Sequence, residues 1–130
     1  MINNLAAGME HIARTVVDER KTANFFGSGN LDVYATPALV ALMENSAKNC
    51  VQSELSEGLT TVGIEINVKH IKASPIGMKV EAKAYLEKVE GKRLFFKVEA
   101  FDEQGKIGEG SHVRYIVNKE EFMKKISLQS

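Results

Sequence analysis

The chain has 130 residues, the length of one domain, with no room for two separate cores. Seventeen Lys and Arg balance seventeen Asp and Glu, which excludes a nucleic-acid binder working by bulk charge and an acidic disordered tail. A chain this close to neutral also meets little electrostatic opposition to self-association. Its one cysteine, Cys50, permits no intramolecular disulfide. With no signal-like N-terminal stretch and no long apolar run, these features predict a soluble cytoplasmic protein that neither inserts in a membrane nor binds nucleic acid.

In chain order, His11 to Asp18 hold Ile12, Val16 and Val17 and predict a short strand. Lys21 to Ala35, with Gly27, Gly29, Asn24 and Asn30, has no period and predicts a loop pinned by Phe25 and Phe26; loops of this length can be lids. Thr36-Pro37 opens a helix, threonine as N-cap and proline at the first helical position. The segment that follows is apolar on most sides from Ala38 to Met43, so it is expected to be buried against something broad, and Gly58 is expected to stop it.

From Leu59 the period becomes two. Val62, Ile64, Ile66, Val68 and His70 share one parity and are expected to face the helix. Beyond the Ser74-Pro75-Ile76-Gly77 break, Met78, Val80, Ala82, Ala84 and Leu86 alternate with polar residues, and Leu94, Phe96, Val98 and Ala100 do the same. A last strand runs from Ile107 to Val117, before a short polar helix. Alternation joined by tight turns means antiparallel strands with one buried face. One strand, one buried helix and four more strands predict an α+β architecture: a five-stranded antiparallel sheet wrapped around one long central helix over 1–130. Its open edges favour pairing with a second copy. That arrangement is the hotdog fold, usually a homodimer with sites at the subunit boundary.

Four residues stand out as carriers of chemistry. His70 is an imidazole on an apolar strand face, where it is either a satisfied core residue or a functional one. Glu44 interrupts the apolar helix, where an ionised carboxylate is costly unless paired. Together they form the kind of pair that shifts pKa values and moves protons. Thr36 can cap the helix and also stand where the helix terminus favours developing negative charge. Gly63 interrupts a strand, which marks a bulge or a close backbone approach. His11, His70 and His112 have no metal-ligand spacing, so zinc is not expected and no cofactor is implied. Gly108-Glu109-Gly110 lacks a dinucleotide fingerprint and reads as strand flexibility near a turn. Cys50 reads as packing.

At these residues the chain resembles the fluoroacetyl-CoA thioesterase-like branch of the hotdog acyl-CoA thioesterases. The resemblance is carried by Tyr34 to Glu44, Gly63 to His70, Val89 to Leu94 and Ile107 to Arg114, in order along most of the chain. It implies that Thr36, Glu44 and His70 are the catalytic set, with Gly63 beside the thioester. The branch's phenylalanine gate before the helix falls near Asn30, so the resemblance implies hydrolysis of small or medium acyl-CoA in general. It also implies an acyl-CoA substrate and a homodimer, with a tetramer as the larger alternative. Lys69, Lys72, Arg93 and Arg114 are the basic residues available to coenzyme A phosphates. The competing readings are a non-catalytic acyl-CoA-binding domain and an enoyl-CoA hydratase; the second would want a histidine on the helix, which has none.

Overall fold

The computed structural model describes residues 5–127. Strand β1 (Glu10–Val16) leads through a 3-10 turn to a short helix, α1 (Ala23–Phe26). Helix α2 (Thr36–Gln52) follows, then β2 (Leu59–His70), β3 (Lys79–Glu90), β4 (Arg93–Asp102) and β5 (Gly105–Asn118), and last α3 (Lys119–Ser127). The strands make one antiparallel sheet in the order β1-β3-β4-β5-β2, so β1 and β2 are its edges. This is the expected five-stranded sheet with a helix packed on one face.

Helix α2 buries Leu39, Met43, Ala47, Cys50 and Val51, a stripe at helical spacing, and lies across β3 and β1. Burying each large side chain of that stripe contributes about 1.5–3 kcal/mol. The sheet answers with Val80, Ala82, Ala84 and Leu86 of β3 and Leu94, Phe96, Val98 and Ala100 of β4, all of the predicted parity. Gly108 and Gly110 sit inside β5 rather than at a turn. Their missing side chains make room: a Cβ on Gly108 would lie 3.0 Å from Leu39 Cδ2, and one on Gly110 would overlap the Asn67 carbonyl. Close packing, not strand flexibility, explains them.

Three local expectations are corrected. The stretch before α2 is not one loop: Thr22 Oγ1 accepts from Phe25 N, Gly27 closes the turn with φ 74°, and α1 lies between them. Phe25 and Phe26 are exposed and lie outside the buried core. Helix α2 stops at Gln52, short of Gly58, which instead turns the chain into β2 with φ 87°. The third correction concerns β2. A bulge at Gly63–Glu65 leaves Ile64 without a register partner and shifts the parity of the strand. Before the bulge Thr61 and Gly63 face α2, while Ile64, expected inside, is exposed; after it Ile66, Val68 and His70 face inward as expected.

Candidate active site

The chain reaches α2 through Ala35, whose extended φ and ψ (−75° and 139°) make it the N-cap, with no side-chain cap. Thr36 is therefore the first helical residue, and the capping role expected of it does not occur. Its hydroxyl is spent elsewhere: Thr36 Oγ1 lies 2.8 Å from His70 Nδ1 at the far end of β2. Pro37 has no N–H to leave unpaired, and the free N–H groups of the first turn face the same end. The Thr36–His70 pair opens on a cavity of about 240 Å³ also lined by Ala23, Ser28, Tyr34 and Lys72.

His70 is half-buried, edge-on to the Tyr34 ring at 6.3 Å. Its Nε2 is buried and hydrogen-bonds to no described residue. Burial, partly offset by the Lys72 backbone, pushes the ring's pKa below the ordinary histidine value. A cationic ring would also bury an unpaired N–H, so the imidazole is neutral at neutral pH.

Two turns along α2, half-buried Glu44 meets a different part of the same strand. A Cβ placed on Gly63 would fall 2.8 Å from Glu44 Oε2, so glycine is what lets the carboxylate lie against β2. The same Cβ would lie 3.1 Å from His112 Cε1 and 3.3 Å from Arg114 Nη1. No hydrogen bond or ion pair ties Glu44 to another described residue, which leaves its lone pairs available. Its charge is nevertheless felt by His112 and Arg114.

The four predicted residues thus fall into two pairs, Thr36 with His70 and Glu44 with Gly63. Helix α2 runs antiparallel to β2, and eight residues separate Thr36 from Glu44, a rise of about 12 Å. No hydrogen bond joins Glu44 to Thr36 or His70 within one chain. Sequence reasoning missed His112 as a neighbour of Glu44 and offered Arg114 as a surface cation; Arg114 is 7% exposed and rims nothing. Their shared inward parity with Ile116 on β5 was the signal. Burial raises the Cys50 thiol to about 11, so it is no nucleophile at neutral pH.

Known proteins share this fold. Residues 17–120 match the family described as fluoroacetyl-CoA-specific thioesterase. The fluoroacetyl-CoA thioesterase of Streptantibioticus cattleyicolor is 37% identical over 95 residues, 73% of this chain and 68% of that protein. A crystal structure of a variant of the fluoroacetyl-CoA-specific thioesterase is 30% identical and superposes with a TM-score of 0.92, covering 98% of this chain and 99% of that one. A hypothetical protein of Thermus thermophilus, a thioesterase superfamily member, is 31% identical with a TM-score of 0.86 over 95% and 94% of the two chains.

Proposed function

The chain belongs to the fluoroacetyl-CoA-specific thioesterase family and is an acyl-CoA thioesterase, and from that premise we propose that Glu44, Thr36 and His70 carry out its hydrolysis, with Gly63 beside the thioester. The substrate class is a small or medium acyl-CoA, and the products are the free acid and coenzyme A. The observation that carries the reading is the uncommitted carboxylate of Glu44, half-buried on an otherwise apolar stretch of helix and facing a residue without a side chain.

The site is composed between two copies of the chain. Edge strand β2 offers twelve residues with no strand partner on its outer side among the described residues, and none of them is proline. A two-fold axis perpendicular to this edge, midway between Gly63 and His70, sets one copy's Glu44 and Gly63 opposite the other copy's Thr36 and His70. The thioester carbonyl then sits at the N-terminus of α2, where free N–H groups and the helix dipole stabilise its oxygen as negative charge develops. Glu44 acts on the carbonyl carbon, either through a water whose proton it takes or directly as nucleophile, in which case thiolate departure leaves an acyl anhydride on Glu44 that water then hydrolyses to the free acid. Thr36 positions the attacking group, and neutral His70 holds the Thr36 hydroxyl. The C–S bond breaks as the tetrahedral intermediate collapses. The leaving thiolate has a conjugate-acid pKa of about 8.5, if it behaves like free cysteine, and needs little protonation. The single cysteine, a buried free thiol, supports a cytoplasmic setting.

The test is thiol release from acetyl-, butyryl- and phenylacetyl-CoA followed with a chromogenic thiol reagent, for the wild-type protein and Glu44→Ala. Turnover by the wild type and its collapse in the variant are expected. Undiminished turnover by Glu44→Ala would remove Glu44 from the reaction. Binding without thiol release would mark an acyl-CoA-binding domain, and loss of the enoyl absorbance of crotonyl-CoA a hydratase.

A further inference from the structure

β5 carries two polar side chains on its inward face, His112 and Arg114, exposed by only 1% and 7%. The hydrolysis set out above uses neither. A buried guanidinium is costly unless its N–H groups are engaged, and here they are. Nε donates to Thr61 Oγ1 at 2.7 Å and Nη2 to the Thr61 carbonyl at 3.0 Å. Nη1 lies 3.1 Å from His112 Nε2. A guanidinium can only donate, so His112 Nε2 is the acceptor and the ring proton sits on Nδ1. That proton is used too: Nδ1 donates to the Glu65 carbonyl at 2.8 Å. The neutral state that this tautomer requires agrees with burial and the adjacent guanidinium, which push the His112 pKa down against the Glu65 carbonyl and the Glu44 charge.

The two grips have a common object. Thr61 precedes the bulge of β2 and Glu65 closes it, with Gly63 between them. We propose that Arg114 and His112 are positioning residues that hold both flanks of this bulge, so that Gly63 faces Glu44 and the guanidinium charge keeps the carboxylate in place against it. The inference rests on Glu44 as the hydrolytic group. It adds that the group is aimed by a hydrogen-bonded clamp on the neighbouring strand, which touches no substrate.

A clamp and a mere core residue give different results. In the folded wild-type chain labelled with ¹⁵N-histidine, NMR should show His112 as the neutral Nδ1–H tautomer, not titrating around pH 6.5 where an ordinary histidine does. In Arg114→Ala the same ring should titrate at higher pH. With acetyl-CoA, Arg114→Ala should lower kcat about 10²-fold through misplacement of the carboxylate, with KM changed only a few-fold. Arg114→Lys should recover little, because an ammonium cannot reach Thr61 and His112 together. His112→Asn, which keeps a donor for the Glu65 carbonyl, should retain more activity than His112→Ala. If Arg114→Ala does not fold, Thr61→Val, which removes one acceptor of the clamp, should show a smaller loss in kcat of the same kind. The loss should vanish in a Glu44→Gln background, because the two residues act as a unit. A folded Arg114→Ala with wild-type kcat, a loss that adds fully to that of Glu44→Gln, or an Nε2–H tautomer overturns the proposal. Should Glu44→Gln itself keep full activity, the hydrolytic reading falls, while the tautomer measurement still reports on the clamp.

Discussion

The two ends of the α2–β2 contact are built differently. At the helix N-terminus, Thr36 and His70 meet through one hydrogen bond of 2.8 Å between an exposed hydroxyl and a neutral ring. Two turns away, Glu44 lies against Gly63 over a buried cluster in which hydrogen bonds run in a chain from Thr61 through Arg114 and His112 to the Glu65 carbonyl. The first end is assembled from residues at the ends of their elements, and it has little to rearrange. The second holds a charge, and a charge needs fixed dipoles around it to act at a defined place. In the proposed mechanism the reaction's carboxylate stands at the hydrogen-bonded end and its orienting groups at the open one.

That division predicts a ranking of variants. The largest loss belongs to Glu44→Ala: thioester turnover should fall by about 10²–10⁴-fold, the range of a general base, with unfolding by heat little changed. Next comes Gly63→Ala. The backbone there has no positive φ, but an alanine methyl would stand 2.8 Å from Glu44 Oε2 and press on His112 and Arg114 as well; a roughly 10²-fold fall in kcat is expected from the misplaced carboxylate. His70→Ala should cost less, about tenfold or about 1.4 kcal/mol, since the neutral ring acts only by holding the Thr36 hydroxyl. A His70 variant as damaged as Glu44→Ala would erase the distinction between the two ends.

The smallest effect is on stability. His70 and His112 both have pKa values lowered in the folded chain. Below the ordinary histidine pKa of about 6.5, the unfolded chain therefore binds protons that the folded chain does not. Stability should fall as pH drops from that value toward the lowered folded values, and level off above it. Thermal unfolding across that interval measures it, and His112→Asn should flatten the slope.

The sheet was legible because the alternation is uninterrupted from Val80 to Leu86 and from Leu94 to Ala100, so these stretches announce their buried face. His70 was legible for the same reason, since it lies beyond the bulge where parity still points inward. Ile64 was misplaced because one extra residue inverts a period of two, and the sequence carries only Gly63 as its sign. Thr36 was assigned a cap because threonine before proline suits one; the strand that takes its hydroxyl lies 34 residues on. His112 and Arg114 were missed as a pair because their meaning depends on Thr61 and Glu65, about fifty residues earlier in the chain. Only the fold brings these together.

The proposed site needs a carboxylate from one copy to meet the threonine and histidine of another. Purified heterodimers of a Glu44→Gln chain and a Thr36→Ala/His70→Ala chain test it, each chain carrying its own affinity tag. One of the two sites in such a particle gathers every defect and the other none, so acetyl-CoA hydrolysis should return to about half the wild-type rate. Heterodimers as slow as the two parent variants would place the whole site within a single chain and contradict the account.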